Sequence, residues 1–251
     1  MNPTCTNSSN NMAGAFITFE GIDGCGKSTQ LRLLASELRV RGVTVVTTRE
    51  PGGTPLGQRL RAALLDVQEQ VDPLAELLVF AADRAQHVRK HLRPSLEANQ
   101  VVLSDRYADA TVAYQGAGRG FAPELIQEIV QLATEGLRPD LTLLFDLSVA
   151  ESAVRTRRRV ESKRTDRLDS EDAEFHTRVR NAYVEIAKAE PDRIKVIDAR
   201  GAVQETHLAV MDIVMPFLKE RGLLGAEQSA RSKVPRGQEQ TAKGKVPSGE
   251  A

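Results

Sequence analysis

Apolar runs punctuate the chain at Ala15–Phe19, Val43–Thr47, Val101–Leu103, Leu141–Phe145 and Ile194–Ile197. Each is short and apolar at successive positions, the pattern of a strand covered on both faces. Long stretches with helical periodicity separate them, beginning with Thr29–Arg41. Strand and helix in alternation predict one α/β domain with three layers: a five-stranded parallel sheet with helices on both faces. Ligands are then expected beyond the C-terminal ends of the strands. After residue 72, Leu74, Leu78, Ala81, Ala85 and Val88 recur at helical spacing and predict the core-facing stripe of a helix. Phe80 and Arg84 fall together on its flank.

The two ends lack this patterning. Residues 1–13 are rich in Asn, Ser and Thr, with Met12 a candidate start of translation. From Gly225 onward the only larger apolar groups are two valines, too little burial to offset the entropy of ordering. The expected division is a disordered extension at 1–13, a folded domain at 14–222 and a disordered tail at 223–251.

Composition narrows the class. The 251 residues carry 34 basic and 34 acidic side chains, so the formal charge is zero, against the basic excess of a dedicated nucleic-acid binder. No apolar run approaches the length of a membrane span. The N-terminus lacks a signal peptide's basic start and apolar centre. The two cysteines, Cys5 and Cys25, make no disulfide framework, which favours the cytosol.

Chemistry enters at Gly21-Ile22-Asp23-Gly24-Cys25-Gly26-Lys27-Ser28-Thr29, between the first strand and the first helix. A glycine, four residues and Gly-Lys-Ser in that context is a phosphate-binding loop. Its backbone N–H groups and the helix N-terminus face a polyphosphate, Lys27 reaches the β- and γ-phosphates, and the Ser28 hydroxyl holds Mg²⁺. The loop predicts a nucleoside triphosphate as a ligand, with Mg²⁺ as cofactor. A switch GTPase would carry Asn-Lys-x-Asp, and no Asn here precedes Lys.

Further motifs stand where strands end. Thr48-Arg49-Glu50-Pro51-Gly52-Gly53-Thr54 offers an Arg to clamp a phosphate and a Glu beside it, or else a surface turn with two solvated charges. Ser104-Asp105-Arg106-Tyr107 offers a carboxylate for Mg²⁺ and a second phosphate-binding Arg. Ala113-Tyr114-Gln115-Gly116 adds an aromatic, an amide and a glycine.

With these motifs in this order, the chain from about Phe16 to Leu218 resembles the bacterial type of the thymidylate kinase family. The resemblance implies a P-loop nucleoside-monophosphate-kinase fold with a mobile lid at about 150–170, a cytoplasmic homodimer, and transfer of the ATP γ-phosphoryl to dTMP on the way to dTTP. It implies that Phe80 stacks on the thymine and Arg84 reads it, while Tyr114 crowds a ribose 2′-hydroxyl and Gln115 contacts the base. Arg49 and Arg106 fall at the acceptor phosphate, Asp105 with Ser28 at the metal, and Asp23 and Glu50 at the 3′-hydroxyl or metal waters.

Some family members place a catalytic Arg in the phosphate loop, where this chain has Gly24. The missing charge is expected from the basic run after the fourth strand, which includes Arg155, Arg157, Arg158, Arg159, Lys163, Arg164 and Arg167. Arg157 and Arg159 are the foremost candidates, with Arg164 behind them; on its own such a run also suits a solvated helix face. Ala110 stands where many members have Ser, and Asp169 where many have Glu. Cys25 replaces the usual Ala, as a small filler or as a thiol whose oxidation or alkylation blocks ATP. The rival readings are a kinase of another deoxynucleoside monophosphate and a non-catalytic nucleotide sensor.

Overall fold

The computed structural model describes residues 13–65, 70–160, 168 and 171–224, without the side chains of 158–160. Five parallel strands, β1 (Ala15–Glu20), β2 (Val45–Arg49), β3 (Val101–Asp105), β4 (Leu141–Asp146) and β5 (Ile194–Asp198), form one sheet in the order β2-β3-β1-β4-β5. β1 lies at the centre, paired with β3 on one side and β4 on the other. The chain leaves it in opposite directions, and the crevice above its C-terminal end is where an open α/β sheet binds ligands.

Alternation along β1 builds both hydrophobic layers. Ala15, Ile17 and Phe19 point to one face with Val101 and Leu103 of β3. There they meet Leu31, Leu34 and Leu38 of α1 (Lys27–Val40) and Val210, Val214 and Leu218 of the C-terminal helix Val203–Glu220. Phe16 and Val102 point the other way. They pack with Val88, Leu92 and Leu96, which follow α2 (Pro55–Leu65) and α3 (Pro73–His87) on a π-helical stretch Val88–Leu92 and α4 (Arg93–Glu97). Leu223 and Leu224 also pack on the first layer, and the Leu223 N–H donates to the Leu218 carbonyl at 3.0 Å. The described residues thus include a leucine pair beyond 222 that finds apolar surface. Residues 1–12 and 225–251 of the expected extension and tail lie outside the described residues.

Two further segments carry the site. α5 (Ala108–Thr111) continues into a π-helical stretch Val112–Gly118, which presents Tyr114 and Gln115; such stretches widen a helix and recur at functional sites. α6 (Pro123–Thr134), α7 (Val149–Val160), α8 (Ala173–Ala189) and α9 (Val203–Glu220) complete the layers.

The expected stripe of α3 is corrected. Leu74 and Leu78 are 47% and 52% exposed, whereas Glu76, Leu77, Asp83, Arg84 and His87 are buried. The inner face of this helix is largely polar because it meets other charged groups of the site, so apolarity marks its outer face.

Candidate active site

A cleft of about 690 Å³ opens above the C-terminal end of β1, within the size range of small-molecule sites. One wall is the loop from β1 to α1. Gly21, Gly24 and Gly26 have φ of 134°, 76° and 98°, a sequence of left-handed turns that only glycine makes without strain. Lys27 is buried, and its ammonium donates to the carbonyls of Gly21 and Ile22, both at 2.9 Å, closing the loop into a ring. Gly24, Gly26, Lys27, Ser28 and Thr29 line the cleft, while Gly21, Ile22 and Cys25 lie behind it in the packed interior. Cys25 is 2% exposed, which favours the filler role over a reactive thiol. The Ser28 hydroxyl donates to the Asp105 carboxylate, so two hard oxygen ligands converge at the cleft wall.

A side chain at Gly24 has no room. A Cβ there would lie 2.8 Å from Thr156 Oγ1 and 2.9 Å from the Ser152 carbonyl, both on α7. Ser152 Oγ also donates to the Asp23 carbonyl at 2.5 Å. The helix carrying the basic run is thus docked on the phosphate loop at the very position where an Arg is absent. Among its described side chains, Arg155 lines the cleft, with its guanidinium donating to the carbonyls of Ala199 (2.9 Å) and Arg200 (3.3 Å). Arg157 is exposed on the outer side of the helix and does not line the cleft. The side chains of Arg158 and Arg159, and residues Lys163, Arg164, Arg167 and Asp169, lie outside the described residues.

The opposite wall is built from side chains. Arg84 is buried and donates from Nε to Glu50 Oε2 at 2.8 Å, from Nη1 to Thr111 Oγ1 at 2.7 Å and from Nη2 to the Tyr107 carbonyl at 2.9 Å. Its guanidinium keeps N–H groups beyond these for a ligand. The other Glu50 oxygen meets His87 Nδ1 at 2.8 Å, and His87 Nε2 meets Thr48 Oγ1 at 2.7 Å. Glu50 as a carboxylate only accepts, so Nδ1 carries the proton. Burial alone would raise the Glu50 pKa; the charge on Arg84 and the His87 hydrogen bond outweigh it and hold the carboxyl low. Both oxygens of Glu50 are therefore committed to Arg84 and His87. It lines the cleft beside Arg84, which it holds in place.

The glycine turn explains itself here. A Cβ on Gly53 would meet both His87 Nε2 and Thr48 Oγ1 at 2.5 Å, and one on Gly57 would meet Asp83 Oδ1 at 2.1 Å. The turn is pressed onto the polar face of α3. Asp83 Oδ1 accepts from the Gly52 N–H at 3.1 Å, while Oδ2 is buried with no hydrogen-bond partner among the described residues. Burial, then the nearby Glu50 charge, raises the Asp83 pKa to about 6. Phe80 and Gln115 line the same wall. Arg49, exposed at the cleft with no side-chain hydrogen bond or ion pair among the described residues, stands at its rim.

Arg106 joins the two walls. Its φ is 73°, a left-handed backbone that costs a non-glycine residue energy and tends to be retained at working sites. From there Nη2 donates to Asp23 Oδ1 at 2.8 Å and to the Tyr114 hydroxyl at 2.9 Å, and Tyr114 donates to Asp23 Oδ2 at 3.0 Å. The guanidinium carbon lies 4.7 Å from the centre of the Tyr114 ring. Burial pushes the Asp23 pKa up, but Arg106 and Lys27 together hold it well below the usual carboxylate range. Like Glu50, Asp23 spends its oxygens on neighbours. Behind Arg106, Glu20 is fully buried, accepting from the Tyr107 N–H and the Tyr183 hydroxyl, both at 2.7 Å. Burial, reinforced by Asp109, raises its pKa to about 8.

The supporting residues Glu20, His87, Asp83, Thr111 and Tyr183 escaped the sequence reading. For His87 a signal existed: it stands one helical turn after Arg84, on the same side. For Glu20 it was a charge closing a largely apolar strand.

A Gly-Lys-Ser loop at the central strand, facing across one cleft a second wall that carries the buried Arg84, defines a P-loop phosphotransferase of the nucleoside monophosphate kinase type. The family model described as thymidylate kinase matches residues 19–210. A thymidylate kinase of Geotalea uraniireducens is 47% identical over 211 residues, covering 82% of this chain and 99% of its own. One of Deinococcus radiodurans is 50% identical over 209 residues, covering 83% and 98%. The crystal structure of thymidylate kinase from Ehrlichia chaffeensis superposes with a TM-score of 0.66 at 38% identity, covering 80% of this chain and 98% of that one. The chain belongs to the thymidylate kinase family.

Proposed function

We propose that the cleft holds ATP and dTMP end to end, with the glycine loop around the donor phosphates and the Arg84 wall around the acceptor base. The enzyme is an ATP-dependent dTMP kinase that yields dTDP and ADP. One observation carries the site assignment: a single cleft is lined on one side by Lys27 and Ser28 and on the other by Phe80, Arg84, Tyr114 and Gln115.

The acceptor is a phosphate monoester with a second pKa near ~6, so it is a dianion at neutral pH and needs no general base. The protein's work is to align two like-charged phosphates and neutralise them as charge shifts. Lys27 exchanges its loop carbonyls for donor phosphate oxygens. Arg49 and Arg106 take the acceptor phosphate, Arg49 as an unpaired cation and Arg106 as one held in place by Asp23. Arg157 and Arg159 remain the proposed lid cations, and Arg155 joins them because it already lines the cleft. Phe80 stacks on the base, Arg84 donates to its carbonyl, Gln115 contacts its edge, and Tyr114 fills the space of a 2′-hydroxyl.

A divalent cation, here read as Mg²⁺, fits the donor set: Ser28 and Asp105 offer hard oxygens at one point, and the described residues hold no cluster of metal-ligating side chains that would suit a full protein cage. Ser28 and Asp105 would hold it, and it would supply positive charge to offset that of the donor phosphates. The exposed Leu74 and Leu78 on α3 and the 80% exposed Leu132 on α6 support a homodimer through that face. No helix among the described residues is long and apolar enough to cross a membrane, and we place the enzyme in the cytoplasm.

The test is ADP release with ATP and Mg²⁺ and one acceptor at a time. Turnover with dTMP far above that with UMP or dGMP is expected. A better purine acceptor would remove the Phe80–Arg84 assignment, and equal use of UMP would remove the Tyr114 filter.

A further inference from the structure

Behind Gln115 lies a polar cluster that the reaction does not itself require. Glu76 on α3 is completely buried. Its Oε1 accepts from Gln115 Nε2 at 3.0 Å and from Arg119 Nε at 3.2 Å, and its Oε2 accepts from Arg119 Nη2 at 3.0 Å. Arg119 is fixed in turn: it pairs with Glu171 at 2.7 Å, and its guanidinium carbon sits 4.8 Å from the centre of the Phe175 ring. The close approach of that ring is permitted by Gly118, where a Cβ would come within 2.7 Å of Phe175 Cε2.

The chemistry of this cluster has a direction. A carboxylate paired with a guanidinium accepts hydrogen bonds and donates none, whereas a side-chain amide has one donating and one accepting end. Glu76 can therefore be met only by the NH₂ end of Gln115, and the carbonyl end is turned away from it. An unconstrained amide at the cleft would rotate to suit either a donating or an accepting base edge.

We propose that Glu76, held by Arg119, is a positioning residue that locks the Gln115 amide with its carbonyl toward the acceptor base, selecting bases that carry a ring N–H. Thymine and uracil donate from N3, whereas cytosine presents a lone pair there and an amino group at C4. With Arg84 donating on one side and Gln115 accepting on the other, the wall matches a keto pyrimidine and opposes an amino one. This rests on the reading of Gln115 as a cleft residue for the acceptor base. The Arg119–Glu171 pair extends the lock to the start of α8.

Steady-state kinetics with dTMP and dCMP on the full chain test it, using Gln115→Ala, Glu76→Gln and the double variant. Glu76→Gln is expected to raise KM for dTMP about fivefold, leave KM for ATP and kcat within about twofold, and increase dCMP use relative to dTMP. In the Gln115→Ala background the same change should add less than about twofold, since Glu76 acts through the amide. If Gln115→Ala leaves KM for dTMP unchanged, the base-contact reading itself falls and the lock with it. If Gln115→Ala raises KM but Glu76→Gln has no effect, or multiplies it equally in both backgrounds, the lock alone is overturned. Should Glu76→Gln not fold, Arg119→Lys keeps the charge and loses the two-point hold, and is read in the same cycle. A KM effect confined to the Gln115 background that retains the amide supports the lock; an equal effect in both overturns it.

Discussion

The walls proposed for the donor and the acceptor solve the same problem, holding charge in a buried place, by opposite means. The donor wall is backbone: successive glycines in left-handed conformations, a lysine ringed by loop carbonyls, and α7 packed so closely on Gly24 that no side chain fits. The acceptor wall is side chain: Arg84, Glu50, His87 and Thr48 in one chain of hydrogen bonds, with Arg106 and Tyr114 in another that reaches across to Asp23 of the loop. Backbone recognition suits a polyphosphate, which offers the same oxygens in every nucleotide. Side chains held by second partners suit a base, where the pattern of donors and acceptors must be read.

The difference predicts how each wall fails. Lys27→Met should cost the most, a loss in kcat of about a hundredfold to a thousandfold with dTMP affinity retained, as for removal of a group aimed at developing charge. Rapid-quench or steady-state assays check it. Arg84→Ala should come next: KM for dTMP rises on the order of a hundredfold, and stability falls by roughly 3 kcal/mol because Glu50 stays buried without its main partner. Denaturant unfolding alongside kinetics separates the two effects. His87→Ala should give a fainter copy of Arg84→Ala, with KM for dTMP up about fivefold and KM for ATP unchanged, because it acts only through Glu50. An equal rise in both KM values would show that the walls are not independent.

Stability should also depend on pH in a traceable way. The Glu20 carboxyl, ordinarily near 4.5, is raised to about 8 by burial and then by Asp109. The folded chain thus holds a proton that the unfolded chain has lost, and stability falls as pH rises from 4.5 through 8, with a slope on the order of 1 kcal/mol per pH unit. Glu20→Gln should flatten this part of the melting profile; an unchanged slope contradicts the assignment. Cys25→Ala should matter least, with activity within about twofold of the parent, since the thiol fills space in the core.

The same contrast decides what the sequence could reveal. All five strands were legible as short apolar runs, but only β1, β3 and β4 are covered on both faces as those runs imply; β2 and β5 are edge strands, partly open to solvent. The last residues of the strands were not legible: β1 extends to Glu20, β2 to Arg49 and β3 to Asp105, polar groups that end an apolar pattern because they begin the site. The phosphate loop was legible because its parts are contiguous. The acceptor wall was legible only in its outermost members. Its supports lie on α3, where the rule that apolar residues face inward is inverted: Leu74 and Leu78 face out while Asp83 and His87 are buried. A helix whose inner face is an ion network cannot be oriented by hydrophobic spacing, and its partners come from elements far apart in the chain.

The most direct measurement is calorimetric titration of dTMP and of a non-hydrolysable ATP analogue with Mg²⁺ into Lys27→Met and Arg84→Ala. Two walls with separate recognition groups predict a crossed pattern, in which Lys27→Met loses the ATP analogue and keeps dTMP, and Arg84→Ala does the reverse. Loss of the same nucleotide in both folded variants would contradict the division of the cleft into a donor wall and an acceptor wall.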